Sequence, residues 1–292
     1  NKEMVLRAGS TLLLSENMQD LLIWNIVLLK PKMFRRPRLS LLPLFFEQLG
    51  ELSLLTAKSF RNMFRRPWEK AILVEQLEEI GVRSLPVVSL TAAFGGLVFG
   101  LQTYIGFHRY VGPGSEAFGG PIISLGLSKE LIPILVGLMV TGRVGSSMAA
   151  EIGTMKITEQ IDALFSLGAD PNRYLVVPRI LACLVMLPCL TLYGDIVGIA
   201  AGFVYNVLIM GVNRVIYLNN TLLYLELWDV VSGLIKASIF GIIIALIGCW
   251  QGMRAEGGAE GVGRATTKTV VIASISILIV NFFLSKALPA TL

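Results

Sequence analysis

The chain has 292 residues, of which 54% are hydrophobic and only 15% charged; its mean hydropathy is +0.71 and its net charge +5. A soluble domain carries about 25% charged residues, so this much apolar surface cannot be hidden in one aqueous core and calls for lipid as solvent. Cys183, Cys189 and Cys249 all lie in apolar segments without ligand spacing, and His108 is the sole histidine, so neither a secreted disulfide framework nor a metal site is expected.

From the N-terminus, residues 12–29 are apolar but interrupted by Glu16, Asn17, Gln19 and Asp20. A charge at the bilayer centre costs about 2.5–3.5 kcal/mol, which predicts an amphipathic or partner-contacting helix here, not a span. Residues 1–40 form an extension of uncertain role. No basic run leads into a short apolar segment with a cleavage site, so the N-terminus is expected in the cytoplasm. The pentapeptide MFRRP occurs at 33–37 and again at 63–67, too few copies for a repeat architecture, and reads as two basic helix stops at the membrane surface. Lys and Arg crowd residues 30–83; beside membrane spans, the positive-inside rule accounts for them better than nucleic-acid binding. Residues 41–84 are expected to form interfacial elbow helices. Glu47, Glu51 and Lys58 punctuate the first, and Ile72, Leu73, Leu77 and Ile80 form one face of the second.

Five stretches are then long enough to cross a hydrocarbon core about 30 Å thick: 85–106, 119–141, 176–208, 229–250 and 269–288. Pro178 and Pro188 are expected to kink or break the third. Loops 142–175 and 251–268 carry Arg143, Lys156, Arg173, Arg254, Arg264 and Lys268, whereas the opposite loops hold only Arg109 and Arg214. This asymmetry predicts a cytoplasmic N-terminus and an outward C-terminus. The fold class is therefore an all-α integral membrane protein, with interfacial helices preceding a five-helix transmembrane domain over 85–292.

Within loop 142–175, Ile157, Ile161, Leu164 and Phe165 fall on one face of a helix, Gly168 offers a stop, and Asp170-Pro171 prevents continuation. Such a helix either lies on the bilayer surface or docks a soluble partner; spacing leaves both open. Lys129 and Glu130 fall inside the second span and Lys236 inside the fourth, where ionisable groups pair or face a polar cavity. Glu130 with Lys236 is the expected pair, and one of the lysines is a candidate point charge for a phosphate. Asp195 in the third span is a weaker candidate. Gly194, Gly198 and Gly202 form a row suited to close helix packing, as do Gly95, Gly96 and Gly100. No P-loop, catalytic triad or paired hydrolytic carboxylates occur in the chain.

The run Gly142-Arg143, Glu151-Ile152-Gly153, Met155, Thr158-Glu159-Gln160, Asp170-Pro171 and Pro178-Arg179 resembles the signature of MlaE-type permeases. That family includes mycobacterial YrbE proteins and the chloroplast lipid-import permease. The similarity extends from about residue 45 to the C-terminus and includes Lys129-Glu130-Leu131 with Pro133, Leu234-Ile235-Lys236, and Arg264-Ala265-Thr266-Thr267. Asn281 is a departure, since some relatives carry an acidic residue there. The resemblance implies a non-enzymatic homodimeric permease of an ABC transporter in the cell inner membrane, with an organelle inner envelope as the alternative, moving phospholipid between that membrane and a periplasmic MCE-domain protein whose conduit leads toward the outer membrane. ATP-Mg would be bound only by a separate cytoplasmic ATPase, a STAS-domain regulator is a further expected partner, and the chain itself holds no cofactor.

On the same resemblance, Glu151, Gly153, Met155, Thr158, Glu159, Gln160, Ile161, Leu164, Asp170 and Pro171 would couple the chain to the ATPase. Lys129, Glu130, Pro133 and Lys236 would line a lipid cavity or form an intramembrane charge group. The other classes are a secondary transporter or channel that uses those charges as an ion path, and a non-transporting scaffold that recruits partners through the 142–175 loop.

Overall fold

The computed structural model describes residues 41–63, 70–112 and 114–288. Expectations for residues 1–40 and for most of the second MFRRP motif lie outside these. The chain divides into two units, residues 1–50 and 51–292. Of the first, only the opening turns of helix α1 (Leu41–Met63) are described; the second holds every other element.

Helix α2 (Lys70–Ile80) ends at Gly81 and a single tight turn, Val82–Ser84, and α3 (Leu85–Tyr110) follows with Pro86 in its first turn. Proline suits that position because the N–H it lacks has no partner there. A near-continuous helix α4 (Gly119–Ile157) comes next, then a seven-residue helix α5 (Gln160–Ser166) and α6 (Asn172–Ile209). Helices α7 (Arg214–Tyr224), α8 (Leu227–Met253) and α9 (Gly258–Ala287) complete the chain. Five of these segments are long and apolar enough to cross a membrane, and the described residues contain no strand. The chain is a multi-pass, all-helical membrane protein.

Two spans run further than the hydropathy pattern suggests. The 39 residues of α4 measure about 58 Å at 1.5 Å each, far beyond the hydrocarbon core. Helix therefore continues through the signature residues 142–157 and resumes at Asn172, so the expected loop 142–175 shrinks to residues 158–171 with α5 inside it. Loop 251–268 likewise contracts to the turn between α8 and α9. Gly257 and Gly258 both adopt positive φ there (86° and 73°), a conformation open to glycine and strained for side-chain-bearing residues. Helix α7, unforeseen in the sequence, is capped by Asn213, whose Oδ1 accepts from the N–H of Val215 (3.0 Å) and of Ile216 (3.3 Å).

Small residues set the helix spacing. A Cβ on Gly96 of α3 would collide with the Gly198 carbonyl of α6, and one on Gly233 of α8 would collide with the Ser128 carbonyl of α4. The row Gly194, Gly198, Gly202 is thus spent on intrachain packing: it receives Ile132, Val136 and Ile123 from α4 and the backbone of α3. The buried core runs along the same seams, through Val88, Ala92, Ile132, Val136, Leu187, Phe240 and Ile244.

Candidate functional site: a buried charge cluster and the α4–α6 turn

Pro133 shapes the first part of the site. A proline within a helix cannot donate to the carbonyl four residues earlier, here that of Lys129, and the helix widens to i→i+5 bonding over Leu127–Leu131. The freed Lys129 carbonyl accepts instead from Lys236 Nζ of α8 at 3.0 Å. The same ammonium donates to Glu130 Oε1 at 2.7 Å and to Ser285 Oγ of α9 at 2.8 Å. Lys236 is fully buried, and these three acceptors satisfy its three donors. On the other carboxylate oxygen of Glu130, Ser285 Oγ donates at 3.0 Å and Asn281 Nδ2 at 3.3 Å.

Adjacent residues on a helix point about 100° apart. Lys129 accordingly turns from Glu130 toward Asp229, 3.5 Å away. Asp229 in turn caps α8 by accepting from the backbone N–H of Glu226 at 3.2 Å. Two cations and two carboxylates balance across α4 and α8, with two polar groups from α9. The cluster is closed on one side only: the side chain of Lys236 is 1% exposed and that of Glu130 38%.

The second part lies at the far end of α4. Its helix stops where Thr158 Oγ donates back to the Thr154 carbonyl (2.9 Å) and Glu159 takes a left-handed conformation (φ 59°). This break corrects the expected single stripe: Ile157 belongs to α4, only Ile161 and Leu164 of α5 turn inward, and Phe165 is exposed. Gly168 (φ 76°) ends α5 as its position suggests, with N–H bonds from Gly168 to the Phe165 carbonyl and from Ala169 to the Leu164 carbonyl, both 3.0 Å.

Around this turn the signature residues serve as braces. Asp170 accepts from Lys58 Nζ at 3.0 Å, from Asn62 Nδ2 at 3.2 Å and from the Asn172 N–H at 3.1 Å, while Ser59 Oγ meets Asn172 Oδ1 at 2.9 Å; α1 is thereby tied to the turn. Burial pushes the Asp170 carboxyl upward, but Lys58 and the amide donors outweigh it and hold the carboxyl below its ordinary value of 3.8. Pro171 is buried beside it. Glu151 pairs with the buried Arg179 of α6 at 2.7 Å, and Gly153 lets α4 approach Ala255 and Val262. Met155 is half-buried, whereas Thr158, Glu159 and Gln160 face outward.

Of the expected residues, Glu130, Lys236 and the Lys129 backbone meet at one point, and Pro133 packs beside them against Gly233. The ten residues expected to couple do not form one patch: Glu151, Gly153, Asp170 and Pro171 brace helices, and Thr158, Glu159 and Gln160 are free to be touched. Sequence reasoning missed Asp229, although Glu226-x-x-Asp229 reads as a helix-start signal. It also missed Ser285, one turn after Asn281, and the α1 residues Lys58, Ser59 and Asn62. Arg143, noted as a basic loop residue and within the signature, donates to the Glu79 carbonyl and carboxylate (both 3.1 Å) and to Ser84 Oγ (2.7 Å), pinning the α2–α3 bend to α4.

Residues 73–287 match the family model described as Permease MlaE. A probable ABC transporter permease protein of Rickettsia conorii is 46% identical over 242 residues, covering 83% of this chain and 92% of the relative. One from Synechocystis sp. is 43% identical over 244 residues, 84% of this chain and 92% of the relative. The chloroplastic protein trigalactosyldiacylglycerol 1 of Arabidopsis thaliana is 40% identical over 218 residues, 73% of this chain and 60% of its own length. With its five apolar spans and a match over most of its length, the chain belongs to the MlaE permease family of ABC transporter permease proteins.

Proposed function

We propose that this permease moves phospholipid as a homodimer in the cell inner membrane, with its N-terminus cytoplasmic and its C-terminus periplasmic. A separate cytoplasmic ATPase, sensitive to a STAS-domain regulator, would drive it, and an MCE-domain protein would receive or deliver lipid on the periplasmic side. The observation that carries this reading is the course of α4. One helix holds Glu130 in the charge cluster and ends beside α5, 27 residues and about 40 Å further on. A push on α5 therefore travels along a single element into the cluster.

At the cytoplasmic end, Phe165 and Leu167 stand 59% and 83% exposed in a segment that also exposes Asp162 and Ser166, an apolar pair that suits the groove of an ATPase subunit. In the membrane, Lys236 is saturated by its own partners, which leaves Lys129, held among the described residues by the longer 3.5 Å contact with Asp229, as the cation for a phosphate. Helix α9, the least covered of the spans, is the face on which a second copy would close the lipid cavity. ATPase closure would shift α5 and α4, loosen the α4–α8–α9 contacts and change which side of the cavity is open.

Leu167→Ser tests the reading without disturbing the core, because the side chain is almost wholly exposed. The expected result is an unchanged melting temperature together with loss of the copurifying ATPase and of ATP-dependent lipid transfer. Retention of both would contradict α5 as the docking element. Photocrosslinking from position 129 is expected to capture phospholipid; clean absence of lipid adducts would count against the cavity.

A further inference from the structure

A second polar site lies away from the charge cluster. A cavity of about 410 Å³ opens between α6, α7 and α8, with Ser128 of α4 at its back. Its walls are apolar, chiefly Ile196, Ile199 and Phe203. Four polar side chains line it: Thr221, whose hydroxyl donates to the Tyr217 carbonyl at 2.8 Å, and Asp195, Ser128 and Tyr217, at 3%, 0% and 2% exposure. Among the described residues, Asp195, Ser128 and Tyr217 have no hydrogen-bond partner at their side-chain oxygens, and in Asp195 both carboxylate oxygens are unpartnered. Buried polar atoms are almost always satisfied, and an ionised carboxylate left alone in an apolar setting costs several kcal/mol. Three such groups, their oxygens sealed just behind the apolar wall of one cavity, mark a place where a partner's head would be held once that wall parts.

The lining also says what the partner is. No basic side chain is among the lining residues, so a phosphate or carboxylate head would find no countercharge there and would be repelled by the Asp195 carboxylate. A carboxylate accepts hydrogen bonds, while a serine and a tyrosine hydroxyl can each donate and accept. The volume falls in the range of small-ligand pockets, and the long apolar wall suits a single chain. We propose that this cavity binds a single-chain amphiphile whose head carries hydrogen-bond donors, an amine or a hydroxyl, and that it turns away anionic heads. No residue of the charge cluster lines it, so the proposal is independent of the transport reading.

The test uses the full chain in phosphatidylcholine nanodiscs and a dodecylamine carrying a diazirine at its chain end. Labelling is expected to saturate and to map to residues 192–203 and 217–221. Excess dodecylamine or dodecanol should compete, and dodecyl phosphate should not. Stronger competition by the amine assigns an ammonium head, and equal competition by the alcohol a hydroxyl head. Asp195→Asn, near-isosteric and without the buried carboxylate, is expected to weaken labelling about tenfold or more. Tyr217→Phe provides a second variant that leaves the α6 face intact, with a loss of about threefold. Labelling that never saturates, spreads over the outward faces of α3 and α9, persists in both variants, or yields equally to dodecyl phosphate overturns the proposal.

Discussion

At the scale of single residues, the Glu130–Lys236 pair is asymmetric, and the asymmetry is measurable. Lys236 is sealed in while Glu130 is partly open, so removing the acid leaves a buried cation and removing the base leaves a carboxylate that still accepts from Asn281 and Ser285. Breaking a buried pair by removing one partner costs about 3–5 kcal/mol, and Glu130→Gln is expected near that range. Lys236→Met, which keeps the side-chain volume, is expected to cost less, about 1–2 kcal/mol. Thermal unfolding in nanodiscs gives the order of the two; a milder Glu130→Gln would show that the cation finds other partners. Asp170 supplies a pH prediction. Its carboxyl is held below 3.8 in the folded chain, so its stabilising contribution is full at neutral pH and is lost only as pH falls through that depressed value. Hydrogen exchange of residues 51–63 should stay protected down to pH 3.8 and loosen below it. Asp170→Asn should abolish that dependence at a cost of about 1 kcal/mol or less, since both side chains of the Lys58 contact are more than a third exposed.

Among the elements, the packing of α3 on α6 depends on the absence of side chains at their crossing. Gly96→Val is expected to abolish the folded state, because the new Cβ meets backbone that cannot move aside, whereas Gly106→Val on the same helix faces open space and should fold normally. Size-exclusion profiles of the two variants give the comparison, and a well-folded Gly96→Val would refute the close crossing. The spans, the glycine row and the charges of α4 and α8 were legible in the sequence because hydropathy, 3.6-residue periodicity and the cost of buried charge are all local signals. The extent of α4 was not legible: residues 142–157 are too polar and glycine-rich to count as a span, and their packing against α8 and α9, through Gly145 and Gly153, is not a local signal. The roles of Ser285 and Asn281 were hidden for a related reason. A serine in a span is unremarkable until a helix more than a hundred residues away brings a carboxylate to it. Helix α7 could have been found from Asn213 and the i,i+4 pair Tyr217 and Thr221, both buried.

For the molecule as a whole, the proposed topology rests on the five spans among the described residues and on the basic loops: the two ends of the bundle would face opposite sides of the membrane, the basic one the cytoplasm. Single cysteines at Gly168 and at Gly211, both at turns with open space, should react with an impermeant thiol reagent from opposite sides of sealed vesicles once the native cysteines are removed. Reaction of both from one side would require another topology. The central claim is that the chain moves lipid only when a separate ATPase drives it through α5 and α4. Its most direct test is reconstitution of the chain into liposomes containing a fluorescent phospholipid, alone and with the ATPase that copurifies with it, while ion flux is followed in parallel. The account predicts phospholipid movement that requires both the ATPase and ATP, disappears in Leu167→Ser and is accompanied by no ion flux from the chain alone. Ion movement by the isolated chain, or ATP hydrolysis by the complex without any lipid movement, would contradict it.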